Sequence, residues 1–114
     1  MIDKGPVLLD VADGIARLRL NRPDAANGMS VELLRALCDA IMACHGHPDL
    51  RVVLLSGEGT NFCAGGDVRA FANEPDRGEF VGDLAHLFHH FVRAITAVQA
   101  PVVAAVNGWA AVQA

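Results

Sequence analysis

Residues 57–71, Gly-Glu-Gly-Thr-Asn-Phe-Cys-Ala-Gly-Gly-Asp-Val-Arg-Ala-Phe, set four glycines, a thiol and a carboxylate directly behind an apolar run. Backbone this bare lets a second group come close to a peptide N–H. Three chemistries use such an approach: phosphate binding, dinucleotide binding, and stabilisation of an oxygen that gains negative charge. A dinucleotide loop needs Gly-x-Gly-x-x-Gly, and here Gly57 and Gly59 fit while the third position is Phe62. That bulk blocks the close helix–strand approach the last glycine allows. A phosphate loop needs Gly-Lys-Ser/Thr, and no lysine follows Lys4.

The anion reading remains. The N–H groups of Gly65, Gly66 and Asp67 would converge where loop turns into helix, and the positive end of that helix would add to the field. One donor aimed at a developing oxyanion lowers a barrier by a few kcal/mol, about ten- to a thousandfold in rate. The plainer reading uses the same residues: the glycines make a tight turn and Asp67 caps a helix.

Other reactive side chains carry less. Cys63 sits beside this turn, but no base is visibly assigned to it, and apolar neighbours make a thiol inert. His86 and His90 stand four apart on one helical face without a third ligand, flanking Leu87, Phe88 and Phe91, so they read as a solvated helix edge. Cys44, His45 and His47 gather at a helix end before Pro48, where histidine suits the dipole. No metal is expected at either place. Glu58 and Glu74 read as exposed loop residues without a particular signal.

The elements that must hold the glycine stretch are legible in the pattern. Two short apolar runs flank Asp13-Gly14, a good two-residue hairpin turn. Ile15, Arg17 and Arg19 share one parity and Ala16, Leu18 and Leu20 the other, as in a strand with one buried face. Pro23, Asn27 and Gly28 punctuate a loop. Ser30 is placed to cap a helix running to about Cys44, with Glu32 in its first turn and Leu33, Leu34, Leu37, Ile41 and Met42 as its apolar face. Gly46 and Pro48 end it. Val52–Leu55 reads as a strand buried on both faces. A second helix spans roughly residues 79–98 by the spacing of Phe80, Leu84, Leu87, Phe88, Phe91, Ile95 and Val98. Pro101 stops it and opens a further buried strand closed by Asn107-Gly108. Hairpin, helix, strand, helix, strand is an α/β order with parallel strands joined by helices.

Composition bounds the rest. A chain of 114 residues makes one small domain, and 53% hydrophobic residues is a high share for that size. Apolar faces are therefore expected to stay uncovered unless a partner or further chain packs on them. A net charge of −4 gives no reason to expect nucleic-acid binding. The N-terminus lacks a signal-peptide pattern and no apolar run is long enough to cross a membrane. Three irregularly spaced cysteines, Cys38, Cys44 and Cys63, read as free thiols in a reducing cytoplasm.

Three blocks, LRLNRPDAANGMS, VVLLSGEGTNFCAGGDVRAF and APVVAAVNGWA, resemble in order and spacing those of the enoyl-CoA hydratase/isomerase (crotonase) family. The resemblance runs from about residue 7 to the end. With its RPDAAN and CAGGD variants, the chain looks most like bacterial isomerase-type members, including those acting on ring-derived acyl-CoAs. It implies a crotonase-like α/β spiral of β-β-α units, of which residues 1–114 form the N-terminal part. The function it implies is hydration or double-bond isomerisation of an acyl-CoA through a thioester enolate, as in fatty acid metabolism.

By motif position, Gly66 matches the family's first oxyanion-hole N–H donor. Ala64, Gly65, Gly66, Asp67 and Val68, with the loop around Ala25 and Ala26, match segments bordering the coenzyme A moiety, and Asp67 matches a structural acid at the start of the next helix. No cofactor is implied, coenzyme A being part of the substrate, and relatives assemble as trimers or hexamers. Val112, Gln113 and Ala114 stand where the family carries glycines, and Gln113 falls on the second donor position. The family's catalytic carboxylates lie further on than residue 114. A single-base deletion in an Ala-Gly-Ala-Gly coding stretch reads Ala-Val-Gln-Ala, so a frame-shifted or early-ended form is the expectation. A non-catalytic acyl-CoA-binding or subunit-interaction fragment is the competing reading.

Overall fold

Alternation decides the first strands of the computed structural model, which describes residues 1–63, 75 and 77–108. In Ile15–Leu20 (β2), Ala16, Leu18 and Leu20 are buried while Arg17 and Arg19 are exposed, the parity that the sequence predicts. Val7–Ala12 (β1) pairs with it antiparallel, Leu9 opposite Leu18 and Val7 opposite Leu20. Between them Asp13 has φ 55° and Gly14 φ 78°, the two left-handed positions that a primed hairpin turn requires.

Val31–Cys44 forms the first helix (α1). The Ser30 hydroxyl accepts the Leu33 N–H at 3.1 Å, and Glu32 sits in the first turn, so the start is as the sequence predicts. Its buried stripe is Leu33, Leu34, Leu37, Cys38, Ala40, Ile41 and Cys44. Met42, expected on this face, is 54% exposed. At 3.6 residues per turn it stands about 140° round the helix from Leu37, beyond the reach of the stripe.

Val52–Gly57 (β3) runs parallel to β2, with Val53 beside Ala16 and Leu55 beside Leu18. Val102–Ala104 (β4) runs parallel to β3, with Val53 beside Val102. The sheet order is β1-β2-β3-β4. The second helix (α2), Arg77–Thr96, packs along α1. Phe91 and Ala94 enter the core, while Leu84, Leu87, Phe88 and Ile95 are partly buried against it. The Phe80 side chain lies outside the described residues.

The double burial expected of β3 and β4 is not met. Val53 is fully buried, the rest of β3 half-buried, and in β4 Val102 is 39% and Val103 49% exposed. The cause is placement: among the described residues α1 lies on β1 and β2, and β4 is the far strand of the sheet, paired on one side. The open apolar face expected of so hydrophobic a small chain is located here.

Two outcomes are expected. Ser30→Ala lowers stability by about 1 kcal/mol through loss of the cap, read as a lower urea midpoint. The isolated chain self-associates as its concentration rises, and Val103→Lys on the edge strand reduces this in light scattering. A monomer at every concentration contradicts the second expectation.

Candidate functional site

Because β2, β3 and β4 are parallel, their carboxyl ends at Leu20, Gly57 and Ala104 share one edge of the sheet. The loops that follow, residues 21–30, 58–63 and 105–108, meet there. In sheets with helical crossovers this edge is where ligands bind.

The first loop is a tight coil. Pro23–Ala25 makes one 3-10 turn, helped by proline at its start. Ala26 and Asn27 follow at φ 51° and 55°. The Gly28 N–H donates to the Ala25 carbonyl at 2.9 Å and the Asn27 N–H to the Arg22 carbonyl at 2.8 Å. The Arg22 guanidinium closes the coil on the Gly28 carbonyl at 2.8 Å. Ala25 is left exposed on the rim and Ala26 half-buried.

Asn27 turns inward and is 0% exposed. Its Nδ2 donates to the carbonyls of Glu58 at 3.0 Å and Asn61 at 2.8 Å, both in the loop after β3. Its Oδ1 accepts the Arg22 N–H at 2.7 Å. Gly57 makes room for this amide: a Cβ there would stand 2.9 Å from Nδ2 and 2.6 Å from the Phe62 carbonyl oxygen. The loop after β4 holds the same segment from the other side. Asn107 Nδ2 donates to the Gly59 carbonyl at 2.8 Å, and the Phe62 N–H donates to the Asn107 carbonyl at 2.6 Å. Three consecutive loops are thus joined through the carbonyls of residues 58, 59 and 61.

Glu58, read from the sequence as a plain loop residue, also has work at this edge. It pairs with Arg19 at 2.9 Å, both side chains around two-fifths exposed, and its N–H extends the ladder to the Leu20 carbonyl at 2.8 Å. An exposed pair of this kind contributes about 0–1 kcal/mol. Asn27 and Asn107 are the residues that sequence reasoning missed. Both stand in Asn-Gly pairs, which signal a turn and say nothing of where the amide points.

Among the expected site residues, Ala25 and Ala26 lie at this edge. Ala64, Gly65, Gly66, Asp67, Val68 and Gln113, with Glu74, lie outside the described residues. Cys63, the last described residue before the glycines, is buried.

Away from this edge, His86, His89 and His90 are exposed on α2. Among the described residues no three His, Cys, Asp or Glu side chains come together as metal ligands. His45 Nε2 lies 2.9 Å from the Ala94 carbonyl, tying the end of α1 to α2 beside a cavity of about 250 Å³ lined by Cys44, His47, Leu50 and Val98. Burial pushes the Cys44 thiol above its ordinary pKa. Cys38 is raised as well, first by burial and then by the Asp39 carboxylate. Both stay protonated and unreactive at neutral pH.

The sequence model of the enoyl-CoA hydratase/isomerase family matches residues 10–112. Over 113 residues the chain is 38% identical to the Probable enoyl-CoA hydratase EchA14 of Mycobacterium tuberculosis, covering 95% of this chain and 41% of that protein. It is 33% identical over 110 residues to the 1,2-epoxyphenylacetyl-CoA isomerase of Escherichia coli, covering 92% of this chain and 41% of that one. Its fold superposes on the crystal structure of an enoyl-CoA hydratase of Mycobacterium smegmatis with a TM-score of 0.82 at 35% identity. That match covers 90% of this chain and 40% of the other. The chain spans about two-fifths of the length of these relatives.

The two raised thiols set a pH dependence. A thiol whose folded pKa is raised contributes stability that is fully present below its unfolded value, about 8.5, and is lost as pH rises from there through the folded value. The urea midpoint is therefore expected to hold between pH 7 and 8 and to fall above about pH 8.5. A midpoint that rises across that range contradicts the burial of Cys38 and Cys44.

Proposed function

We propose, for a chain that belongs to the enoyl-CoA hydratase/isomerase family and has its crotonase-like fold, that it serves an enzyme stabilising the enolate of an acyl-CoA thioester. The observation that carries this reading is the meeting of three loops at the carboxyl ends of parallel strands. The middle one is held by the buried Asn27 amide and the half-buried Asn107 amide, and the sequence runs on from it through Cys63 to the glycines.

The Gly66 N–H donates to the thioester oxygen, and Gln113 stands at the second donor position. When a base removes the proton next to the carbonyl, or water adds to the β-carbon of the enoyl group, charge moves onto that oxygen, and protonation at carbon takes it off again. A donor already in place stabilises the enolate more than the ground-state thioester, which lowers the barrier. Ala64, Gly65, Asp67 and Val68 line the path of the coenzyme with Ala25 and Ala26. The small size of Ala64, Gly65 and Gly66 lets the thioester approach the backbone. Hydration then adds water across the enoyl double bond, whereas isomerisation returns the proton elsewhere. The carboxylate that moves the proton is not assigned to a residue of this chain. The reaction needs no cofactor, coenzyme A arriving as part of the substrate. The setting is cytoplasmic fatty acid metabolism, in a trimer or a hexamer.

A second reading takes up one residue: Gln113 stands where the family resemblance expects a glycine. In it the chain binds acyl-CoA, or a partner subunit, without turnover.

Calorimetry and turnover with crotonyl-CoA separate them. The chain is expected to bind crotonyl-CoA more tightly than coenzyme A alone. Gly66→Pro, which lacks the N–H, is expected to lose about ten- to a thousandfold of any turnover. Binding without turnover supports the second reading, and absence of binding overturns the acyl-CoA part of both.

A further inference from the structure

The Asn27 amide is placed for more than a turn. A carboxamide with no solvent exposure costs stability unless its hydrogen bonds are made inside, and here both Nδ2 hydrogens and Oδ1 are engaged. If the position served packing alone, an apolar residue would fill it without that demand. The backbone is chosen for the purpose too: φ is 55°, a region where asparagine is enriched, so the side chain is thrown under the next loop. Gly57 is small where the amide passes.

What one NH2 group does to the second loop is specific. It takes the carbonyls of Glu58 and Asn61, three residues apart, and so fixes two peptide planes at the two ends of one turn. Asn107 takes the carbonyl between them, at Gly59, and its own carbonyl receives the Phe62 N–H. The peptides at the carbonyls of Glu58, Gly59 and Asn61 are thus held from outside the loop. Gly66, to which the proposed function gives the oxyanion donor, follows four residues after Phe62 in the sequence.

Resting on that reading, we propose that Asn27, backed by Asn107, is a positioning residue for the reaction: its buried amide sets the direction in which the chain leaves the β3 loop, and with it the aim of the donor N–H. Neither residue touches the substrate. They act through the backbone, where a misplacement of about 1 Å can cost a hundredfold in rate. A merely structural clamp would alter stability and leave the bound thioester as it was.

The test uses the purified chain, butyryl-CoA as ligand and the infrared stretch of its thioester carbonyl. Asn27→Asp keeps the size, the left-handed backbone and Oδ1, but turns a second oxygen toward two carbonyl oxygens. In the wild type the bound carbonyl is expected to absorb at lower frequency than free butyryl-CoA. In Asn27→Asp that shift is expected to be lost while the dissociation constant changes by less than about threefold, since coenzyme contacts remain. Acidification should restore part of the shift, because a protonated carboxyl regains one donor. Should Asn27→Asp fail to fold, Asn107→Ala reads the same signal from the other side, with a smaller shift expected. A full shift retained in a folded variant overturns the positioning role alone. A wild type that binds no butyryl-CoA overturns the acyl-CoA reading and this inference with it.

Discussion

One carboxamide, sealed from water, joins the ends of two parallel strands. Asn27 satisfies an N–H of its own loop and two carbonyls of the next, at 2.7–3.0 Å. The amide itself is fully buried, and leaving one of its own polar atoms without a partner there costs about 1–3 kcal/mol. The constraint spreads outward. The left-handed turn at Ala26 and Asn27 exists so that the amide can point under the sheet edge. Gly57 is bare so that it can pass, and the buried Ser30 begins α1 within three residues of it. The loop that leads to the glycines thus inherits its geometry from the segment before α1.

The apolar core is built elsewhere. Leu18, Leu20, Leu33, Leu34, Leu37 and Ile41 bring α1 down on β1 and β2, and Phe91 and Ala94 seat α2 against α1. Burying each large side chain contributes about 1.5–3 kcal/mol, so stability is concentrated on the hairpin side of the sheet. Toward β4 the apolar surface thins and opens to solvent. The candidate site lies at the carboxyl edge between these two regimes. There the order of the loops depends on hydrogen bonds more than on burial. That division matters for function, because directional bonds fix peptide planes, whereas apolar packing fixes only distances.

Much of the fold was legible because local signals and global packing agree. Arginines alternate with Ala16, Leu18 and Leu20, so the buried face of β2 can be read without knowing its neighbours. Asp13-Gly14 and Ser30 mark the hairpin and the start of α1 through backbone chemistry that acts within a few residues. The failures have one origin, dependence on distant partners. Met42 looks like its apolar neighbours until the stripe is fixed by what α1 lies on. Val102 and Val103 read as interior, yet burial depends on which elements cover a strand, and none of the described ones covers β4 fully. Near the candidate site, the turn chemistry of Pro23, Asn27 and Gly28 was legible. The roles of Asn27 and Asn107 were not, because an Asn-Gly pair encodes a turn, while the amide's partners lie 31 to 48 residues away.

The central claim is that the peptide N–H of Gly66 meets a thioester oxygen. Residue-resolved 15N spectroscopy during titration with butyryl-CoA tests it most directly. The account predicts a Gly66 amide resonance that moves downfield with butyryl-CoA and stays in place with coenzyme A alone. A Gly66 resonance indifferent to the acylated ligand, while other residues report binding, contradicts it.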